Sequence, residues 1–242
     1  MSCQPTFYRK RLLSPPWSYP ILRTAMAHIH QNFPGNQGIA QLLGSACGRR
    51  ALTSEEGQIL EWCLTQIALE GSGPISEITR SLQTSLIAGC DWHSAVAAAL
   101  LHSPRQWGSQ LQSALLSFEE IRDEYRESEV AVFQFADGII QANILQVPPL
   151  PGFVPTSAPE DPRTKRLFDL AESMDVSGET IELVKVLEDR FPHLMTRHYR
   201  VDFTGALAAL FCDLGIESDK IPQLLTISAL VALVFTASGS VI

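Results

Sequence analysis

The chain has 242 residues, 45% of them apolar and 18% charged, with a formal net charge of −8. That supplies ample material for a buried core. The acidic balance excludes a nucleic-acid backbone binder, which needs a lysine and arginine surface.

In chain order, the opening MSCQPTFYRKRLL lacks the apolar core of a secretory signal. Its basic run of Arg9, Lys10 and Arg11 reads as a solvated patch, and residues 1–37 form an arm assigned to no element. The five cysteines show no CxxC spacing, so neither a zinc site nor a dithiol motif is expected. Their odd number, with Cys63 and Cys212 inside apolar helical patterns, predicts reduced buried thiols and a cytoplasmic location.

TSEEGQILEWCLTQIALEG predicts an amphipathic helix opened by a capping box of Thr53 and Glu56 and closed by Gly71. DWHSAVAAALL predicts a second, capped by Asp91, whose small residues suit close helix packing. Leu111, Leu115, Phe118, Ile121 and Tyr125 mark a third, with the charged run EEIRDEYRESE on its solvated face. Residues 129–145 fit strand or helix, and their length favours helix.

Six of the fifteen prolines fall between Pro148 and Pro162, which forbids helix there and marks the clearest internal boundary. Asp161 and Pro162 then make a helix entry. Further helices are expected from Glu179 to Asp189, from Phe203 to Leu214 with Gly215 as terminator, and from Ile221 onward. The last 19 residues, from Leu224, carry no charge and approach the length of a membrane span. Their serines, threonines and glycine favour a buried core or interface helix over a tail anchor.

Four stretches in order carry a resemblance. These are LTSEEGQILEWCLTQIALEGSGPISEITRSLQTS, AVAAALLHSPRQWGSQLQSAL, VPPLPGFVPTSAPEDPRTKRLFDLAESM and YRVDFTGALAALFCDLGI. Together, from about Gly38 onward, the chain resembles the citrate synthase superfamily, and most closely its short citryl-CoA-lyase-like members. The resemblance implies an all-α fold of two helical domains. The large one would span 38–147 and take in the final helix at 221–242, and the small one would span 148–220. It also implies a homodimer, and a site for an organic acid or acyl thioester, with CoA entering as part of a substrate and no separate cofactor or metal.

Carried over residue by residue, the resemblance places Asp202 at the catalytic aspartate and Arg163 at the arginine of Asp-Pro-Arg. Gln106 stands at the first histidine position, as a weak amide donor, beside Trp107 where the family has glycine. Val154 and Pro155 replace the family's Gly-His. The final helix carries Ala229, Ala232 and Thr236 where the family has arginine, glycine and histidine. Standard citrate synthesis is therefore not expected.

Asp202 can serve as base, as helix cap, or as both. His198, four residues upstream, is the candidate replacement imidazole. Arg163 and Arg105 are candidates to hold an anionic group, with a surface salt bridge as the plainer role for Arg163. Trp107 and Phe153 either line the pocket or fill it. Two functions stay open: an enzyme with altered chemistry, performing carbon–carbon cleavage, decarboxylation or proton transfer next to a carbonyl, or a catalytically inactive metabolite-binding or regulatory subunit.

Overall fold

The structure, a computed structural model, describes residues 38–70, 73–103 and 108–238. The arm at 1–37 and the candidate residues Arg105, Gln106 and Trp107 lie outside them. The described residues form ten α-helices in chain order, with two short strands and one 3₁₀ turn. The helices before the proline-rich stretch are α1 (Ile39–Cys47), α2 (Ser54–Ala68), α3 (Gly73–Ile87), α4 (Trp92–Leu101), α5 (Ser109–Glu127) and α6 (Val132–Ala142). After it come β1 (Phe153–Pro155), α7 (Pro162–Ser173), α8 (Glu179–Leu194), β2 (Tyr199–Val201), α9 (Phe203–Leu214) and α10 (Ile221–Ala237).

Local chemistry sets many of the helix starts. In α2 the Thr53 hydroxyl accepts from the Glu56 N–H while the Glu56 carboxylate accepts from the Thr53 N–H, the reciprocal box expected. Asp91, Asp161 and Asp202 cap α4, α7 and α9 through their carboxylates, and Gly215 ends α9 in the left-handed region at φ 73°. Residues 132–142 are helical, as their length suggested. Helix α8 outruns its expected end at Asp189, because Pro192 lies in its last turn and removes only one intrahelical bond.

An aromatic chain crosses the proline-rich boundary. Phe118 of α5 packs edge-on against Phe153 at 6.1 Å, Phe153 against Phe191 of α8 at 5.1 Å, and Phe191 against Tyr199 at 5.5 Å. Segments 38–147 and 148–220 thus share one apolar core, and the described residues form one compact unit. A second, smaller cluster joins α3, α4 and α10 through Ile78, Leu82, Ala95, Ala99, Ala229 and Leu233.

The 3₁₀ turn at Ser218–Lys220 and α10 together, Ser218–Ala237, are long and apolar enough to cross a membrane by length and composition. Here Leu224, Leu225, Ser228, Ala229 and Leu233 are buried within the chain, while Val234 and Phe235 stay exposed. One expectation fails at Arg122. It lies within the charged run read as solvated, yet only 8% of it is exposed. Its guanidinium reaches inward to the Cys212 carbonyl at 3.3 Å and Sγ at 3.0 Å, keeping an ion pair with Asp123 at the surface. A long aliphatic stem lets a charged residue bury in this way.

The loop after Pro148 is pinned to α9 by two glycines. Gly152 adopts φ 82°, and a Cβ there would lie 2.6 Å from Gly205 Cα; a Cβ on Gly205 would fall on the Gly152 carbonyl. Both obstacles are main chain and cannot swing aside. Gly205→Ala is therefore expected to cost about 3 kcal/mol in urea unfolding. Gly138→Ala, on an exposed face of α6 with nothing within 4 Å, should stabilise by about 0.5–1 kcal/mol.

Candidate functional site

Strand β2 delivers the chain to Asp202. Tyr199 and Val201 are buried with Arg200 between them, and β2 pairs antiparallel with β1 in the register Phe153 with Val201, Val154 with Arg200 and Pro155 with Tyr199. This two-stranded ribbon was not expected from the sequence, because its strands are only three residues long and one contains proline. Proline is tolerated at such an edge, where it has no ladder bond to donate.

At the end of β2 the Asp202 N–H donates to the Gly152 carbonyl at 3.0 Å. Its Oδ1 accepts from the Gly205 N–H at 2.7 Å, which caps α9. That helix is buried on nearly all sides, as its run of alanines and leucines requires. Burial pushes the Asp202 carboxyl above the ordinary aspartate value, against the lowering effect of the Gly205 and Thr204 main-chain N–H groups, and Asp161 raises it further.

Asp202 lies on the wall of three cavities. The first, about 330 Å³, runs between α7, α8 and β2 and includes Phe168, Lys185, Glu188 and Arg200. The second, about 440 Å³, includes Glu70, Gly108, Ser109, Gln110, Arg163 and Phe203. The third, about 570 Å³, includes Ser109, Gln110, Pro151, Gly152, Phe153 and Thr204.

Arg163 does reach the second cavity, but it is already engaged. Its Nε meets both Asp161 carboxylate oxygens at 3.0 Å, its Nη2 meets Oδ2 at 2.6 Å, and Glu70 lies 3.9 Å away. The guanidinium also stacks 4.2 Å over the Phe203 ring, which Trp62 meets edge-on at 6.4 Å. Phe153, expected at the pocket, is 1% exposed and serves mainly as the middle of the core aromatic chain while touching the third cavity.

His198 does not join this group. It is exposed, lines none of the three cavities, and contributes its carbonyl to the Thr156 N–H at 3.0 Å. Four residues of extended chain separate it from Asp202 by about 13 Å. Val154 offers the first and third cavities only an apolar wall, and Pro155, the residue aligned with a histidine in the family resemblance, lines none of the three.

Three features were not legible from the sequence. Glu188 and Glu70 are both pushed up by burial, and each shares a cavity with Asp202. A single carboxylate within a helical pattern gives no hint of this. The third is the start of α5. Gly108, at φ 86°, leads the helix in without a side-chain cap or an acidic first turn, and the first intrahelical bond is that of Gln112 to the Gly108 carbonyl. Among the described residues no acceptor meets the N–H groups of Ser109, Gln110 and Leu111, all of which lie along the second cavity. Such a helix start presents donors and a partial positive charge of about half a unit.

No protein-family model matches this chain, and no curated protein matches it. Solved structures do. Citryl-CoA lyase from Hydrogenobacter thermophilus superposes with a TM-score of 0.64 at 19% identity, covering 87% of this chain and 79% of that one. ATP citrate lyase from Methanothrix soehngenii, in complex with citrate and coenzyme A, gives 0.56 at 18% identity over 89% of this chain and 35% of the other. At these identities the likeness establishes the fold, an all-α citrate synthase-like architecture, in agreement with the order of motifs.

Because the fold raises the Asp202 pKa, folded protein binds this proton more tightly than unfolded chain does. The resulting stability is complete below the ordinary aspartate value and is lost as pH rises through the raised one. Asp202→Asn keeps a capping side chain but has no such proton. The unfolding free energy of wild type relative to Asp202→Asn should therefore fall as pH rises through that window and level off above it, measured by urea unfolding at a series of pH values.

Proposed function

We propose that this chain is a citrate synthase-like enzyme of altered chemistry, in which Asp202 moves a proton next to a carbonyl on an acyl or organic-acid substrate. One observation carries the reading: a half-buried carboxyl with a raised pKa is fixed at a helix start on the wall of every one of the three cavities described. A carboxylate shifted toward neutrality is a better general base for a carbon acid than one at its ordinary value.

In the proposed step the proton leaves the carbon alpha to the carbonyl for the Asp202 carboxylate. The bonding pair moves onto the carbonyl oxygen, giving an enolate. The start of α5 would take over the task of the missing imidazoles, since its main-chain donors suit a developing oxyanion. The hydroxyls of Ser109 and Thr204 and the amide of Gln110 lie along the same two cavities. Carbon–carbon cleavage or decarboxylation would run through the same enolate, with the protonated carboxyl returning its proton to carbon.

A second reading, a metabolite-binding subunit without activity, is favoured by a different observation. No histidine among the described residues lines these cavities, and Asp202 is already employed as a cap.

The two readings separate in deuterated water. With acetyl-CoA and longer acyl thioesters, wild type is expected to exchange the alpha protons, and Asp202→Asn to lower the rate by about 10²–10⁴-fold. Equal exchange in both proteins overturns the role of Asp202. Thioester binding without exchange in wild type supports the second reading.

A further inference from the structure

We propose that the ligand of this site is a carbonyl compound, uncharged or ammonium-bearing, with no free carboxylate on the part that enters beside Asp202. The inference rests on the reading of this cleft as the ligand site given above, and it concerns charge.

In the second cavity the described residues supply three carboxyl groups, Glu70, Asp161 and Asp202, and one cation, Arg163. That cation is spent. Three hydrogen bonds of 2.6–3.0 Å join it to Asp161, and the Phe203 ring covers one of its faces. A ligand carboxylate would have to displace Asp161 from a chelating pair and leave that aspartate unpaired beside Glu70, an exchange with no net gain in charge pairing.

The first cavity is acidic as well. Six carboxyl-bearing residues face three cations. Lys165 is paired with Asp169 at 2.7 Å, Lys185 with Glu172, and Arg200 donates to the Ala158 carbonyl. In the third cavity Asp202 is the sole charged residue among those described. Among the described residues only Arg200 of these cations lacks a carboxylate partner, and the carboxyl groups of its cavity outnumber the cations two to one.

What the walls do offer suits a neutral polar group. The Thr164 hydroxyl on the first cavity is buried without a partner among the described residues, and Ser109, Gln110 and Leu111 at the start of α5 line the second. About half a positive charge at a helix start matches the partial charge of a carbonyl oxygen, but falls well short of neutralising a di- or tricarboxylate.

Three probes of one carbon skeleton isolate the effect: glutarate, glutaramide and cadaverine. They are titrated calorimetrically into the full chain at neutral pH. Glutaramide and cadaverine are each expected to bind at least about tenfold more tightly than glutarate. Asp161→Asn retains an α7 cap and releases Arg163. It should improve glutarate about tenfold and weaken cadaverine, and Glu70→Gln should shift the order the same way should Asp161→Asn fail to fold.

The proposal is overturned by any of three results: glutarate binding as well as or better than the other two, binding of none of the three, or an order unchanged in the folded variants. Exchange that depends on Asp202 alongside preferred glutarate binding would sink the charge selection alone. The expected order without exchange would keep it and remove the catalytic reading.

Discussion

Two main chains meet at Gly152 and Gly205 at a separation that leaves no room for a side chain on either. This contact ties the loop after the proline-rich stretch to the first turn of α9, and the hydrogen bond from the Asp202 N–H to the Gly152 carbonyl closes it. The position of the acid at 202 follows from it. So does the register of the small ribbon, since Phe153 must then face Val201 and enter the core between Phe118 and Phe191. A loop with this much fixed around it is a wall of the site, whatever side chains it carries.

The same local device appears with different consequences. Asp91, Asp161 and Asp202 each cap a helix with a carboxylate oxygen. Asp91, on the surface, is held below the ordinary value by its Ser94 and His93 contacts, and Asp161 is held low chiefly by the Arg163 guanidinium. Asp202 alone of the three is pushed upward, because burial outweighs its cap bonds and no cation answers it. Asp213 shows a fourth variant. From within α9 it accepts the N–H groups of Gly178, Thr180 and Ile181 and so caps α8 from another element. Capping alone therefore says nothing about reactivity; surroundings decide it.

The polar side chains around Asp202 are largely engaged within the protein. Arg163 holds Asp161 and covers Phe203. Val154 and Pro155 are strand residues, and Val154 lines a wall of the cleft. The donors that remain near Asp202 belong mostly to the main chain at the start of α5, where geometry, not side-chain identity, supplies the hydrogen bonds.

The helices and several of their ends could be read from the order of residues alone, because a capping box, an Asp-Pro entry and an apolar period of 3.6 are local physics. The sequence also carried the order of motifs from which the fold could be expected, and the α9 start at Asp202. It did not disclose the ribbon at 153–155 and 199–201, whose pairing joins residues 44 apart in the chain at its closest pair, Pro155 with Tyr199. Nor did it disclose that His198 faces solvent, that Arg122 turns inward, or that Arg163 is already neutralised. Those outcomes depend on which surfaces meet across the fold. Burial and charge pairing are properties of neighbours in space, and a residue's neighbours in sequence carry almost no information about them.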